Sequence, residues 1–270
     1  MPCGDDDVVY VYDYSQGARR RILESHGSRG HDEGVSEIHF SKFSGAGYQQ
    51  ILTIRSGAQC LSAWNELSYD LFRFSRRTNA AEQIFQGSHD IWFGDGPFVR
   101  LQPDELLMEM RDRSIDAGIH NRAHVLDFKT TDESVARIDP VALQPQDFVD
   151  EWLTRPWSEM ASRSTEEKSA HDNQTKLEKW HKFVGADFVG GDFTLVQACS
   201  ETPGQWQIGV DIDWIGKKDL PEPLSVYFLV QQLEGPYRYK MTDISFNRQD
   251  GCPGDSGPSL EKPTLFPTKK

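Results

Sequence analysis

Residues 69–74 read YDLFRF, residues 75–79 read SRRTN, and residues 80–85 read AAEQIF. Apolar and polar residues alternate on both sides of a short polar segment, which is typical of two β-strands joined by a turn. This hairpin pattern decides the fold of the first half of the chain, because it occurs there more than once.

The same order of strand, polar turn and strand occurs at residues 9–23 and at residues 123–139. In the last of these, Phe128 and Ile138 take the places that Phe74 and Ile84 hold in residues 69–85. Internal repetition of this kind predicts a repeat architecture. We therefore expect residues 8–26, 69–87 and 123–142 to form equivalent hairpins.

Further strand candidates lie between these hairpins. They are residues 37–40 and 50–54, which flank a glycine turn, and residues 90–93, 98–101 and 105–110. Four strands in a repeat of about 54 residues match the strand number and approximate length of a β-propeller blade. Two full units and one half unit are too few for a closed ring. The prediction is thus an incomplete propeller-like arrangement, belonging to a longer repeat protein, or an open stack of four-stranded antiparallel units.

The segment at residues 43–52, FSGAGYQQIL, resembles the loop and strand of integrin-type FG-GAP (VCBS-like) β-propeller repeats. The resemblance implies an extracytoplasmic binding or adhesion module. In that family, Asp residues in the turn bind calcium, which prefers hard oxygen ligands. Here Ser44, Ala46 and Gln50 stand where carboxylates are expected, so calcium binding is not predicted.

The second half of the chain predicts an α+β module. Pro145 is well placed to begin a helix, Arg155-Pro156 interrupts it, and apolar residues at helical spacing recur from Leu177 to Val184. Four strands with short turns follow, at residues 192–200, 205–216, 224–233 and 236–246. Helices packed on a four-stranded antiparallel meander resemble the cystatin-like or NTF2-like layout.

The fold class predicted for the whole chain is therefore mainly β with an α+β second half. The predicted domains are a β-repeat domain at 1–143, helices plus meander at 144–250, and a flexible tail at 251–270. The predicted strand at 224–233 is apolar on both faces, which indicates a central strand covered on both sides.

Composition excludes several classes of function. The net charge of −13 repels phosphate backbones, so nucleic-acid binding is not expected. No apolar run approaches the roughly 18–20 residues that span a bilayer. The first residues do not read as a signal peptide, so the protein is cytoplasmic or a leader is missing from this sequence. We favour an extracytoplasmic location, secreted or periplasmic.

The four cysteines do not have the spacing of a metal site. Cys199 and Cys252 flank the meander and form a disulfide if the compartment is oxidising; two free thiols are the alternative. Residues 252–258, CPGDSGP, are similar to the nucleophile loop of chymotrypsin-like proteases. Only 14 residues follow Ser256, too few to build such a substrate pocket, so no catalytic role is predicted for it.

Two groups of polar residues are candidates for a site. Asp211 and Asp213 alternate with apolar residues and, with Tyr227 and Tyr239 on neighbouring strands, predict a ligand-binding surface on the meander. Alternating carboxylates also keep a sheet face soluble. His120 and His124 lie among Asp116, Arg122 and Asp127, a composition that we interpret as surface ion pairs.

These observations lead to two hypotheses of different kinds. The first is a non-enzymatic binding or scaffold protein, without a metal or another cofactor, whose ligand is an unknown protein or small molecule. The alternative is a small-molecule enzyme or binder with a pocket in the C-terminal α+β module. Oligomeric state is left open, and a homo-oligomer is compatible with either.

Overall fold

The structure is a computed structural model, and it describes residues 8–15, 17–26, 33–57, 64–92, 96–119, 121–131, 134–164, 170–185, 188–214, 224–234 and 238–252. Over these ranges the protein is mainly β, with three α-helices and antiparallel sheets of two, eight and four strands, none of them closed. The predicted mainly-β class with a few helices is confirmed.

Fourteen strands and three helices make up the described part of the chain. The strands are β1 (Val8–Asp13), β2 (Arg20–His26), β3 (Glu33–Phe40), β4 (Tyr48–Gly57), β5 (Trp64–Ser75), β6 (Ala80–Trp92), β7 (Phe98–Leu101), β8 (Glu105–Arg113), β9 (Asn121–Thr130), β10 (Val135–Val141), β11 (Phe188–Ala198), β12 (Gln205–Trp214), β13 (Leu224–Gln232) and β14 (Tyr239–Ser245). The helices are α1 (Pro145–Thr154), α2 (Trp157–Met160) and α3 (Ala170–Gly185).

The chain divides into two compact units. Unit 1 comprises Met1–Asp112 and Leu126–Ile138, and unit 2 comprises Arg113–Val125 and Asp139–Lys270. We predicted boundaries after residues 143 and 250, the first of them where the repeated strand pattern gives way to a helix. In the structure, the segment Arg113–Val125 also belongs to unit 2, although residues on both sides of it belong to unit 1.

Hairpin β1–β2 forms a two-stranded sheet, and the other strands of the first half form one open sheet in the order β10-β9-β8-β6-β5-β4-β3, with β7 paired to β8. The strands that we assigned to separate four-stranded units therefore share one sheet. Residues 80–86 and 90–93 were also predicted as two strands, whereas Ala80–Trp92 is continuous, since Gly87 lies within its pairing with β5.

Alternation along β4 and β5 gives the large sheet of unit 1 two different faces. Leu52, Leu71 and Tyr69 lie on one face, in an apolar core that also contains Leu106, Met108 and Phe128 from the strands beyond β6. On the opposite face, Ile51, Phe72 and Phe74 pack against Leu23 of hairpin β1–β2. This hairpin is therefore attached to the sheet by a small apolar cluster.

The turns of unit 1 place small or amide residues where the backbone requires them. Asn79, at the start of β6, has φ +56°, and its backbone N–H donates to the Ser75 carbonyl at 2.7 Å. Asn tolerates this left-handed conformation better than most residues do. Gly47 has φ +83° in the turn between β3 and β4, where glycine avoids a steric penalty.

Unit 2 consists of helices packed on the sheet β11-β12-β13-β14. Helix α1 begins with Pro145 and ends at Thr154, before Arg155-Pro156. Its side chains Phe148 and Trp152 are fully buried against Val210, Phe228 and other apolar residues of the sheet. The indole N–H of Trp152 also donates to Ser164 Oγ at 2.8 Å, so the polar atom of this large side chain is satisfied.

The outer face of the meander carries a covalent link. Cys199, just after β11, is bonded to Cys252, beyond β14, across 53 residues of sequence. The two cysteines and Leu229 of the central strand β13 form a small buried cluster. The disulfide thus covers part of this strand's second face. Ser256 and the rest of the predicted tail beyond Cys252 lie outside the described residues, as do Cys3 and Cys60.

Substitution of Gly87 tests the packing of the large sheet. A Cβ at this position would lie 2.5 Å from Cζ of Tyr69, its partner across the β5–β6 pair. The Tyr69 ring is buried and stacked on His89, so it has little room to move. Urea unfolding of Gly87→Ala should show a loss of about 1–3 kcal/mol in the free energy of unfolding.

Gly45→Ala is the matched control, because no atom lies within 4 Å of the added Cβ there. It should change the free energy of unfolding by less than about 0.5 kcal/mol. Equal effects of the two substitutions would contradict the assigned packing of Tyr69.

Candidate functional site

A polar cavity of about 490 Å³ lies between strand β2 and the face of strands β4, β5 and β6 in unit 1. We call it the hairpin cavity. Its volume is in the range that small-molecule sites occupy. The cavity is lined by Glu24, Ser25, His26, Arg55, Ser68, Asp70, Phe72, Gln83, Gln86, Gly87 and Ser88.

Strand register explains why these polar residues meet. Ser68 pairs with Arg55 on β4 and with Ser88 on β6, and Asp70 pairs with Gln86 on β6. Paired residues of adjacent strands point to the same side of a sheet. Two cross-strand rows of polar side chains therefore lie on the face that hairpin β1–β2 covers.

The polar side chains form one hydrogen-bonded network. Arg55 Nη1 lies 2.5 Å from Asp70 Oδ2, and Arg55 Nη2 donates to the Ser25 hydroxyl. Gln83 Nε2 donates to Asp70 Oδ1 at 2.9 Å and to Gln86 Oε1 at 3.2 Å. The network thus joins strands β2, β4, β5 and β6 around the cavity.

Burial of the Arg55–Asp70 ion pair costs free energy, so the pair is not explained by a gain in stability. Only 8% of the Arg55 side chain and 13% of the Asp70 side chain are exposed. Among the described residues, the buried Nε–H of Arg55 has no hydrogen-bond partner, and such a group costs about 1–3 kcal/mol. Proteins with apolar residues in place of such a buried ion pair are often at least as stable. The pair is therefore a costly polar feature of the sheet face that hairpin β1–β2 covers.

A second pair of charges lies at the rim of the cavity. Glu24 Oε2 is 2.6 Å from Arg21 Nη1, and Glu24 Oε1 is 2.7 Å from His26 Nε2. The side chains of Arg21 and His26 are more than half exposed. Both oxygens of Glu24 are therefore engaged by neighbours on its own strand.

The residues predicted for a ligand surface on the meander do not all lie together. Asp211 and Asp213 alternate along β12 with the buried Val210 and Ile212, so they lie on the outer face of the sheet. Tyr227 lies on the same face, opposite Gly209. Tyr239 is on the other face, buried in the core beside Phe148, and does not share a surface with the carboxylates.

The outer face of the meander is acidic and open. Asp211 accepts a hydrogen bond from the Ser225 hydroxyl at 2.6 Å, and both Asp213 and Ser225 are exposed. Burial, and after it the nearby charges of Asp116, Asp213 and Asp211, raises the pKa of Asp192 on the neighbouring strand. These carboxylates therefore repel one another, and the ligand role of Asp211, Asp213 and Tyr227 stays a prediction.

A buried ionic cluster lies inside unit 2, and we call it the Arg122 cluster. The Arg122 guanidinium contacts Asp150 at 2.9 Å and Glu151 at 2.7 Å, and Arg155 Nε lies 3.2 Å from Glu151. His124 Nδ1 also contacts Glu151, while His124 Nε2 lies 2.6 Å from Arg155 Nη2. The cluster connects the start of β9 to helix α1.

The hydrogen bonds assign the protonation state of His124. Arginine can only donate, and Arg155 Nη2 lies 2.6 Å from His124 Nε2 while Arg122 Nη1 lies 3.2 Å from His124 Nδ1, so the ring cannot carry a proton on both nitrogens. We take Nε2, which has the shorter contact, as the acceptor and place the ring proton on Nδ1, which also contacts the Glu151 carboxylate. This neutral tautomer agrees with the pKa of His124, which burial holds well below its usual range.

The two carboxylates of the cluster respond differently to burial. Burial raises the pKa of Asp150 to about 6, although Arg122 and hydrogen bonds from Ile115 and Ser114 oppose this shift. Burial also acts to raise the pKa of Glu151, but the positive groups around it hold that pKa well below its usual range. Since His124 is neutral, we attribute the low pKa of Glu151 to the charges of Arg122 and Arg155 and to the hydrogen bond from His124.

The interpretation of this region as surface ion pairs was wrong for Arg122, His124 and Asp116. All three are buried, and Asp116 accepts hydrogen bonds from the backbone N–H groups of Gly118 and Phe193 at 2.7 and 2.9 Å. The sequence places them in a polar stretch, but it does not show that helix α1 packs against Arg122 and His124. His120 lies outside the described residues.

Sequence reasoning also missed the hairpin cavity. The available signal was Arg55 and Asp70, charged residues that alternate with apolar ones in strands β4 and β5. We had no reason to place them side by side on one sheet face before the register of these strands was known.

Comparison with known proteins adds no relative: no protein-family model, no curated protein and no solved structure matches the chain. The resemblances to FG-GAP repeats and to the cystatin-like or NTF2-like layout are therefore not tested. None of the described helices combines the length and apolar character needed to cross a bilayer.

Removal of the cation from the Arg122 cluster tests its structural importance. Arg122→Met leaves Asp150 and Glu151 buried with fewer compensating charges, which should lower the free energy of unfolding by about 3–5 kcal/mol. Lys182→Met is the control, because it breaks an exposed pair with Glu178 and should cost less than about 0.5 kcal/mol. Urea unfolding followed by tryptophan fluorescence measures both. A similarly small effect of Arg122→Met would contradict the claim that Arg122 compensates the buried charges of Asp150 and Glu151.

The neutral state of His124 predicts a pH effect on stability. Below the unfolded-state pKa of 6.5 the unfolded chain takes up a proton that the folded chain excludes, so stability is lost as pH falls. His124→Asn keeps an N–H donor for Glu151 and lacks this titration. The variant should be less stable than the wild type at neutral pH. This difference in the free energy of unfolding should shrink by up to about 1.4 kcal/mol per pH unit below pH 6.5. A difference in the free energy of unfolding that stays constant from neutral to acid pH would contradict the neutral state of His124.

Proposed function

We propose that this chain is a non-enzymatic binding protein that holds a small polar ligand in the hairpin cavity. One observation carries the proposal: polar side chains from four strands converge on a cavity of about 490 Å³ between hairpin β1–β2 and the large sheet. Small-molecule sites are concave, and a few precisely placed polar groups give them specificity. The lining of the hairpin cavity is mainly polar, which favours a polar ligand, and its hydrogen-bonded network is already formed.

The contacts among the charged lining groups support binding rather than catalysis. Both oxygens of Asp70 and both terminal nitrogens of Arg55 are engaged within the network. His26 contacts Glu24 at the exposed rim. The lining therefore suits recognition.

We extend the proposal to architecture and location. Hairpins β1–β2, β5–β6 and β9–β10 are proposed to be copies of one FG-GAP-like, propeller-like repeat, for which their similar sequence order is the support. An extracytoplasmic location is proposed because the Cys199–Cys252 disulfide suits an oxidising compartment. Both ideas fit a binding module.

The alternative function is a small-molecule enzyme or binder that uses Asp211, Asp213 and Tyr227 in the C-terminal module. It has less support, because Asp213 is exposed and Tyr239 faces the core of unit 2. We keep it as the second proposal because Asp211 and Tyr227 share one sheet face.

Obstruction of the cavity tests the proposed function. The probe is a set of small polar compounds, neutral and charged, screened by ¹H–¹⁵N NMR against the full chain with its disulfides intact. We expect binders to shift the amide signals of residues that line the hairpin cavity. Ser88→Trp, at an exposed lining position, should abolish these shifts because the indole fills the space.

Asp90→Trp is the matched control, since it is exposed on the same strand and is not a lining residue. It should leave the shifts unchanged. Binding that persists in Ser88→Trp, or that maps to the outer face of the meander, would refute the proposal and favour the alternative.

A further inference from the structure

We infer that the ligand of the hairpin cavity is a neutral saccharide, an inference that rests on the function proposed above. The cavity contains charged side chains, but they are engaged with one another. Among the neutral lining groups, the amide of Gln86 and the hydroxyl of Ser88 are exposed, and both kinds of group can donate and accept hydrogen bonds. A saccharide offers the same combination in its hydroxyl groups.

The charges of the lining argue against an ionic ligand. Arg55 is engaged by Asp70 and Ser25, and Glu24 is engaged by Arg21 and His26. An anion would have to displace Asp70 from Arg55 and would approach a chain of net charge −13. A cation would have to compete with Arg55 for Asp70 or with Arg21 for Glu24. A neutral ligand requires neither exchange.

The neutral lining groups match a polyhydroxylated ligand. The amide oxygen of Gln86 accepts from Gln83, so its nitrogen is oriented as a donor. Ser88 is exposed on the same strand and offers a hydroxyl that donates and accepts. Sugar hydroxyls can satisfy both kinds of group at once. Phe72 also lines the cavity, but its side chain is buried in the apolar cluster with Leu23.

The position of the cavity argues against an extended peptide as the ligand. Peptides commonly bind by adding a strand to an exposed sheet edge. The hairpin cavity lies on the face of strands β4, β5 and β6, which are interior strands of their sheet. Recognition there depends on side chains, and the volume of about 490 Å³ suits one small molecule.

The test is a titration of the full chain with a panel of neutral sugars: glucose, galactose, mannose and N-acetylglucosamine. Glucuronate and inorganic phosphate serve as charged probes, and a neutral tripeptide represents peptide ligands. Amide shifts at the lining residues locate each probe and give its dissociation constant. We expect at least one neutral sugar to bind in the cavity and more tightly than glucuronate, phosphate or the peptide.

Gln86→Ala removes one exposed hydrogen-bonding group from the lining and should weaken binding of that sugar about 3- to 10-fold. Glu82→Ala is the matched control, because Glu82 is exposed on the same strand but does not line the cavity. It should leave the dissociation constant unchanged. An equal effect of the two substitutions would overturn the assignment of the cavity as the sugar site.

The other outcomes separate the two proposals. If polar compounds bind in the cavity but no neutral sugar does, or if glucuronate, phosphate or the peptide binds more tightly, the saccharide inference fails and the proposed function stands. If nothing binds in the cavity, both fail together.

Discussion

The buried guanidinium of Arg122 is the constraint on which the arrangement of unit 2 depends. Two carboxylates of helix α1, Asp150 and Glu151, are fully buried, and an uncompensated charge there would be very costly. Arg122 contacts both of them, and Asp150 also accepts from the hydroxyl of Ser114 and the backbone N–H of Ile115 at 2.9 Å. The segment Arg113–Val125 is thereby fixed against the helix.

The same constraint organises the core around it. Helix α1 can bury Phe148 and Trp152 against the meander only if its polar residues at 150 and 151 are satisfied. Asp116, in the same segment, accepts a hydrogen bond from the backbone N–H of Phe193, in the middle of strand β11. Buried polar networks of this kind specify one arrangement of elements because partial satisfaction is unfavourable.

In unit 1, buried polar residues lie beside an apolar cluster on the same face of the large sheet. Leu23, Phe72 and Phe74 attach hairpin β1–β2 through apolar contacts, and the adjacent part of the same face carries the Arg55–Asp70 network. The first part provides stability, whereas the second leaves a cavity and an unsatisfied donor. A surface optimised only for packing would extend the apolar cluster across the whole hairpin. This contrast is the physical basis for proposing a binding site.

The sequence alone determined the local elements, because these depend on spacing and on residues near each other in the chain. Alternation identified hairpin β5–β6, and Pro145 and Pro156 bounded helix α1. Tertiary structure decided the rest. Whether Arg55 meets Asp70, and whether Arg122 lies at the surface or beneath a helix, depends on pairing between distant segments. Local patterns carry no information about that pairing, since a register shift of one residue moves every side chain to the other face.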